Sequence, residues 1–448
     1  MMRICQNSLI YMGLLLVCGG AIPMVLTAQD NVQDDPSQQL RYVQYADEST
    51  PKNNLVMDFN GATAYDDNVL GDNADRQGAM VFQTGAHFGW EEERARFSIS
   101  LDYQPEFVMY SNVSGYNQID QTLRFSGKYH VSRHFELRFQ NSGFYFTGIA
   151  SPTLNENATF TSGPQPTLNN TVLIPLAHEI TDEARMDGVY QISRRSALDV
   201  FSTVGIRNFS GVKNSQETLL NTQTLTGGLA YTYRVNASST LGVSAQHQNL
   251  RYGSSLDRIE SAFLTFTWQG KSGLSASLYG GPQYVRLKDS FLLPTSSAPT
   301  TTYFLARESG TKLNAGGGAS LGWRSNRTVV QASVQQIASD GGGVFTSVTD
   351  ISESFDVRRE LRKHWDLLMT VTTGQSRALS GLFGGAVLSG QAGSLSVERD
   401  IGSKLVAQVG YQAGRQRVSG TYPFQVDMNR NYISLGFIFR FNRIPLGR

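Results

Sequence analysis

The sequence predicts an all-β protein, a transmembrane antiparallel up-and-down β-barrel of about 18 strands (16–18), with short periplasmic turns and longer external loops. Three observations predict this fold. Apolar and polar residues alternate along most of the chain, the alternating segments are longer than the strands of soluble sheets, and the connections between them alternate in length. A composition with 44 Gly, 10% aromatic residues and only 13 Pro in 448 residues agrees with a β protein.

The alternation is clear in residues 95–107, where Phe97, Ile99 and Leu101 occupy odd positions and polar residues fill nearly all the even ones. Side chains alternate between the two faces of a strand, so one face is apolar and the other polar. Soluble sandwiches show the same period, but their strands usually have about five or six residues. Most of the segments here exceed the roughly 9 to 11 residues that a tilted strand needs to cross a bilayer, which favours a membrane barrel.

Eighteen segments follow the pattern from residue 54 onward, although some alternate poorly. Short connections at 91–93, 193–195 and 401–403 alternate with longer ones, which predicts that both chain termini lie in the periplasm. The predicted strands are 54–65, 79–90, 94–109, 118–131, 135–146, 183–192, 196–208, 223–235, 239–251, 258–269, 273–286, 312–323, 327–337, 347–358, 364–375, 388–400, 404–416 and 428–441.

Aromatic residues at the strand ends give an independent indication, because rings with a polar edge favour the membrane interface. All four tryptophans lie beside short turns, so they predict an aromatic girdle on the periplasmic side. Tyrosines at the opposite strand ends predict a second girdle on the external side. The first girdle comprises Trp90, Trp268, Trp323 and Trp365, and the second comprises Tyr65, Tyr110, Tyr145, Tyr252 and Tyr284.

The N-terminal residues 1–28 are predicted to be a cleaved signal peptide, because Arg3 precedes an apolar stretch that ends near Ala28. A retained anchor and a lipoprotein modified at Cys18 are the alternatives. Both cysteines fall within this segment, so we expect no disulfide or thiolate site in the mature chain. We expect 29–53 to be a short periplasmic segment, 54–441 the barrel and 442–448 a C-terminal tail.

Charge and motifs disfavour several classes of function. A formal net charge of +1 gives no bulk attraction to nucleic acid, and a mean hydropathy of −0.26 argues against a bundle of transmembrane helices. The segment Gly318–Gly322 matches the serine-hydrolase elbow, but it lies within a predicted strand, where Ser320 lacks the sharp turn an elbow needs. The six histidines form no ligand pattern. We therefore expect no catalytic residue, no metal, no cofactor and no enzyme activity.

A barrel of 16 to 18 strands is wide enough to leave a water-filled lumen. Inward charges of both signs would create a transverse field that orders water and screens small polar solutes. The alternative is that these residues pair with one another and only solvate the wall. The candidate pore-lining residues are Arg96, Asp102, Glu106, Arg124, Lys128, Glu136, Arg138, Arg185 and Asp187.

Two stretches carry a family resemblance. Ala64–Leu70 and Tyr432–Phe441 resemble the outer-membrane β-barrel porins of Gram-negative bacteria, some of which accompany exopolysaccharide gene clusters. The resemblance implies that Phe437, Phe439 and Phe441 form the C-terminal signal read by the barrel-assembly machinery, although residues 442–448 extend beyond it. The longest connection, Thr147–Thr181, is the third external loop, and its position resembles that of the loop which trimeric porins fold into the lumen as a constriction. An outward surface loop is the alternative.

These observations predict an outer-membrane, porin-like channel for passive diffusion of small hydrophilic solutes. The rival interpretations are a barrel for polysaccharide secretion or export, working with periplasmic partners, and a closed-lumen surface scaffold or adhesin. The expected partners are outer-membrane lipid, the barrel-assembly machinery and the solutes, with no nucleic acid. Assembly into a homo-oligomer is left open.

Overall fold

A computed structural model describes residues 52–71, 73–113, 117–148, 177–210, 219–253, 255–270, 272–294, 303–381, 385–420 and 427–446. The expected signal peptide 1–28 and nearly all of segment 29–53 lie outside the described residues. Within those residues, no helix is both long and apolar enough to span a membrane.

The described chain forms eighteen long strands and one short one in a single antiparallel sheet. The first nine are β1 (Lys52–Asp66), β2 (Ala79–Glu93), β3 (Phe97–Tyr110), β4 (Gln118–His130), β5 (Phe135–Gly148), β6 (Ala177–Gln191), β7 (Ser196–Ser210), β8 (Thr222–Arg234) and β9 (Ser239–Tyr252). The others are β10 (Ser255–Gln269), β11 (Leu274–Pro294), β12 (Tyr303–Arg324), β13 (Thr328–Gly341), β14 (Phe345–Arg362), β15 (Trp365–Ala378), β16 (Val387–Ile401), β17 (Leu405–Ser419), β18 (Met428–Arg440) and β19 (Ile444–Pro445).

The sheet closes into a barrel, which confirms the predicted fold class. Each long strand pairs with the next along the chain, and β1 also pairs with β18 from Asp58 opposite Arg440 to Asp66 opposite Tyr432. One end carries short turns such as 94–96 and 402–404, and we call it the short-turn end. The other end, which includes connections 67–78 and 149–176, is called the long-connection end. Both described chain ends lie at the short-turn end.

The polarity of the barrel is the reverse of that of a soluble protein. Large apolar side chains on the outward face are exposed, including Phe82, Leu264 and Leu321, while the residues between them face the interior. Monomeric soluble proteins rarely expose contiguous apolar surface on this scale. A continuous apolar exterior around a closed sheet is what a barrel needs to span a bilayer.

Three predicted strand boundaries differ from the structure by six residues or more. β6 starts at Ala177 rather than 183, β11 continues to Pro294 rather than 286, and β12 starts at Tyr303 rather than 312. The extended parts of β11 and β12 pair with each other beyond the point where β10 stops pairing, at Arg258 opposite Arg286. A projecting two-stranded hairpin needs no apolar outward face, so its sequence shows no membrane pattern.

The predicted C-terminal tail also differs in part. Instead of only trailing beyond the barrel, it contributes β19, in which Ile444 and Pro445 pair with Leu55 and Asn54 of β1. The backbone N–H of Leu446 donates to the carbonyl of Asn53. The start of β1 is therefore flanked on both sides, by β2 and by β19, which leaves less of that edge unpaired.

The seam between β1 and β18 contains a buried ion pair. Arg430 Nε donates to Asp66 Oδ2 at 2.8 Å, and both residues are buried inside the barrel at the long-connection end. Asp66 also accepts from the backbone N–H of Asn68 at 3.0 Å. Ala64, Val81 and Tyr432 belong to an apolar cluster on the same side of the wall. Closure of the sheet thus includes specific side chains as well as the backbone ladder.

We expect Arg430→Met to lower the free energy of unfolding by about 3 kcal/mol, because it leaves the Asp66 carboxylate buried without its charge partner. Urea titration of the protein folded in lipid vesicles would measure the change. Arg440→Met is the matched control, since Arg440 and Asp400 are exposed and 3.6 Å apart, and such pairs contribute under about 1 kcal/mol. An equal loss in both variants would contradict a special role for the buried pair.

Candidate functional site: the barrel interior

The interior face is identified by contacts between strands that are not neighbours. Arg207 on β7 donates from Nη1 to Asp340 Oδ2 on β13 at 3.1 Å, and both residues are buried. Because β7 and β13 are separated by five strands around the wall, this ion pair can form only through the lumen. Strand register then assigns the inward side of each neighbouring strand.

Eight of the nine candidate pore-lining residues lie on this inward face. Arg96 is the exception, because it lies in the turn 94–96 and is exposed at the short-turn end. The register places Asp102 opposite Arg124, and it aligns Lys128, Arg138 and Asp187 on three successive strands. Glu106, Arg185 and Glu136 share the same face; Glu136 and Asp187 are buried, and the other six are half-buried or exposed.

Several of these charges pair along the wall. Arg185 Nη2 lies 2.6 Å from Asp187 Oδ1, and Arg138 pairs with Glu136, which also lies 3.0 Å from His130 Nδ1. The alternative interpretation, that these side chains pair with one another, therefore holds for Arg138 and Arg185. The Arg124 guanidinium also lies 6.0 Å from the centroid of the Phe144 ring.

One cluster on this wall has no counterpart in the sequence prediction. His87 on β2 lies between two carboxylates, with Nδ1 3.2 Å from Asp58 Oδ2 and Nε2 2.9 Å from Asp102 Oδ1. The three residues come from β1, β2 and β3, so no local spacing links them. Among the described residues, no group of three or more His, Cys, Asp or Glu is arranged to hold a metal ion.

The inner wall has two unlike halves. The eight inward candidates and the His87 cluster belong to β1–β6, whereas a row of hydroxyl side chains crosses β9–β15, with each residue directly opposite the next. Neighbouring hydroxyls bond in two places, at 2.7 Å for Ser277 and Ser320 and at 2.8 Å for Ser333 and Ser354. The row consists of Thr240, Thr267, Ser277, Ser320, Ser333, Ser354 and Thr372.

This arrangement also accounts for the serine motif. Ser320 lies in the middle of β12, its hydroxyl bonds to another serine, and no strand-to-helix turn surrounds it. The mid-strand position is the one that the sequence predicted, and the side chain is one member of the hydroxyl row.

The four tryptophans lie beside the short turns, and one of them is covered. All four are at the short-turn end; Trp268, Trp323 and Trp365 are exposed, whereas Trp90 is 8% exposed and donates from Nε1 to Asn53 Oδ1 at 3.1 Å. The predicted tyrosine girdle was wrong for Tyr110 and Tyr252, which face inward and are buried. At the chain end, Phe437, Phe439 and Phe441 lie exposed on the outward face.

A structural feature that the sequence prediction missed lies at the end of β13. The ladder between β12 and β13 stops at Gly317 opposite Gln336, and the chain then leaves the wall. From residue 337 to residue 348 every side chain is buried. We call these residues, the joined ends of β13 and β14, the inner hairpin.

Polar groups of the inner hairpin find partners in distant parts of the chain. The N–H of Ala338 donates to Gln283 Oε1 of β11 at 2.9 Å, and the carbonyl of Gly343 accepts from the N–H of Leu220 at 2.8 Å. Ser347 Oγ donates to the buried carboxylate of Asp257 on β10. Buried polar groups must be paired, so these bonds, together with Arg207 and Asp340, hold the inner hairpin inside the lumen.

Apolar packing joins the inner hairpin to both sides of the barrel. Val344, Phe345 and Val348 pack with residues of β15 and β16 and with Phe209 of β7. Ala338 packs with residues of β9, β10 and β11, such as Leu250. Gly343 has a φ of 89°, and a Cβ there would lie 2.3 Å from the Phe209 ring, so only glycine fits.

Nearer the long-connection end than the β12–β13 ladder, hydrogen bonds close the wall between β12 and the end of β15. Lys312 of β12 donates from Nζ to the carbonyl of Leu379, and Ser380 Oγ donates to Glu308 Oε2 at 2.7 Å. These bonds join β12 to the connection that follows β15, past the two strands that turn inward. The inner hairpin is therefore enclosed by the wall rather than lying at an open gap.

The sequence predicted a constriction at a different place. Most of Thr147–Thr181 lies outside the described residues, and its ends, Thr147–Gly148 and Ala177–Thr181, belong to β5 and β6. The run Gly341–Gly343 inside a short apolar connection was the one local indication of the inner hairpin. Its partners Arg207 and Asp257 are too distant in sequence to have been identified.

Together, the fold and its interior define a class: a closed, membrane-type β-barrel with a polar inner wall and a hairpin folded into its lumen. No protein-family model matches the chain, and no curated protein matches it.

Solved structures that match include three bacterial proteins. Pseudomonas aeruginosa OccK2 (OpdF) is 10% identical, with 87% of this chain and 98% of that chain covered and a TM-score of 0.43. Acinetobacter baumannii OccAB1 is 12% identical, with 90% and 100% covered and a TM-score of 0.44. The FrpB iron transporter from Neisseria meningitidis is 8% identical, with 90% and 84% covered and a TM-score of 0.41. The barrel assigned here is defined by this chain's own strand pairings.

We expect Asp340→Asn to loosen the inner hairpin, because it removes the charge that faces the buried Arg207 guanidinium, and hydrogen bonds to charged groups are the stronger ones. Amide hydrogen exchange in 337–348 should become faster, by roughly tenfold or more. Asp356→Asn is the control, because Asp356 lies on β14 nearer the short-turn end, outside the inner hairpin. Its carboxylate accepts a hydrogen bond from Thr370 Oγ1 at 2.9 Å. Unchanged exchange in Asp340→Asn would show that the ion pair does not hold the inner hairpin.

Proposed function

We propose that the protein is an outer-membrane, porin-like channel through which small hydrophilic solutes diffuse passively. The observation that carries the proposal is the reversed polarity of a closed eighteen-strand barrel, with exposed apolar side chains outside and charged and hydroxyl side chains inside. Barrels of this strand number are too wide to be filled by the inward side chains of their strands alone. Half-buried and exposed inward residues such as Arg124 and Lys128 indicate that water reaches the wall.

The inner hairpin narrows this channel, in our proposal, at the long-connection end. It extends from the β13 side toward β7 and leaves the wall of β2–β6, with its charged residues, as the opposite boundary of the passage. A narrow passage lined on one side by fixed charges favours hydrated, polar solutes over apolar ones.

The proposal extends to the parts of the chain that the structure does not describe. Residues 1–28 serve as a cleaved export signal and 29–53 as a short periplasmic segment, which places the short-turn end in the periplasm. Phe437 and Phe439 lie exposed on the outward face of the last long strand, and Phe441 lies exposed just beyond its end, positions that the barrel-assembly machinery can reach. The connection 149–176 is a second candidate constriction because of its length.

Replacing residues 340–347 with Asn-Gly tests the constriction. Ser339 and Val348 are opposite each other in register, so a two-residue turn can join them. We expect the shortened variant to admit larger sugars and to pass small ones several-fold faster, because eight buried residues leave the lumen. Swelling of proteoliposomes in sugars of graded size would measure both effects.

Deletion of residues 149–176, with a short linker, is the companion variant. Barrel folding of each variant is checked by its heat-modifiable mobility on gels. Faster permeation in the 149–176 deletion alone would assign the constriction to that connection and contradict its assignment to the inner hairpin. Unchanged permeation in the 340–347 variant would contradict it as well.

A further inference from the structure

Cations collect on the outward face of the barrel at the long-connection end. Outward positions on β9, β10 and β11 place Arg251, Arg258, Arg286 and Lys288 there, and all four side chains are exposed. We call these four residues the basic patch. A second group, Arg377, Arg415 and Arg417, occupies outward positions on β15 and β17. The described outward positions of β1–β7 at this end carry no Lys or Arg, so the cations are confined to one side.

The basic patch holds like charges close together. Arg258 and Arg286 are directly opposite in the ladder between β10 and β11, an arrangement that is destabilising unless an anion is present. Arg286 Nη2 lies 3.6 Å from Glu260 Oε2, and Glu260 Oε1 also lies 3.8 Å from His247 Nδ1. Among the described residues, Arg251, Arg258 and Lys288 have no carboxylate within ion-pair distance. One carboxylate therefore faces four cations.

The basic patch also has a defined height on the barrel. Along β10 the outward residues are apolar at Phe266 and Leu264, and beyond Ala262 they become Glu260 and Arg258. The Arg286 guanidinium lies 5.2 Å from the centroid of the Tyr284 ring, at the same level. Tyrosine and arginine just beyond an apolar band lie where lipid headgroups begin.

We propose that the basic patch binds the phosphate groups of a phosphorylated glycolipid in the leaflet at the long-connection end. This inference rests on one part of the proposed function, that the barrel spans the outer membrane. It does not require that the barrel conducts ions or solutes. One guanidinium group can donate two parallel hydrogen bonds to the oxygens of one phosphate group. The basic patch has three arginines and one lysine, so it supplies several donors to one anionic headgroup. Because the basic patch adjoins the apolar band, the acyl chains of the same molecule lie against that band, which favours a lipid over a soluble anion.

Native mass spectrometry of the folded protein in nonionic detergent tests this inference. The probe is lipid A with two phosphate groups, compared with the same lipid after its phosphates have been removed. The variant is R251Q/R258Q/R286Q. The matched control is R359Q/R362Q/K363Q, which removes three exposed cations at the opposite end of the barrel. We expect the patch variant to bind the phosphorylated lipid roughly tenfold more weakly and the control to bind it as the unaltered protein does.

Equal binding of the two lipids by the unaltered protein, or equal losses in the patch and control variants, would overturn the inference. Displacement of the lipid by inorganic phosphate alone would also overturn it, since the basic patch would then be a site for a free anion. Conductance separates this inference from the channel proposal. If the protein binds the lipid through these arginines but conducts no ions, the lipid site is supported and the channel fails.

Discussion

The interior of a bilayer offers no hydrogen-bond partners, so every backbone N–H and C=O of a strand that crosses it must pair with a neighbouring strand. In this chain the requirement is met by closing β1 against β18. Closure fixes the register of all eighteen long strands, and register fixes which residues face lipid and which face the lumen. The buried pair of Asp66 and Arg430 lies at this seam, where the first and last long strands meet.

The inner hairpin shows how the same requirement operates inside the barrel. Once β13 leaves β12 at Gln336, the N–H of Ala338 bonds to the Gln283 side chain of β11 instead. The carbonyl of Gly343 bonds to Leu220, just before β8, and the Ser347 hydroxyl bonds to Asp257 of β10. The hairpin is therefore built into the packing of one half of the barrel, and its ion pair between Arg207 and Asp340 spans the lumen. The part of the lumen that the inner hairpin leaves open must therefore lie between this hairpin and the charged wall of β2–β6.

Much of the barrel could be predicted from the sequence, because a strand with one face in lipid has to alternate. The wall positions of Asp102, Arg124 and Lys128 followed from that period alone. Features outside the lipid zone could not be predicted in this way. The extended hairpin of β11 and β12 has no apolar outward face, and Tyr110 and Tyr252 belong to packing inside the barrel rather than to a girdle. The contact of Arg207 with Asp340 joins residues 133 positions apart, a distance at which one sequence carries no pairing information.

The most direct test of the account is the single-channel conductance of the unaltered, folded protein in a planar lipid bilayer. Steady current steps of nanosiemens order would show a water-filled passage beside the inner hairpin, as the account predicts. The absence of any steps from protein that is demonstrably folded as a barrel would contradict the passive channel. It would favour instead a lumen that the inner hairpin closes.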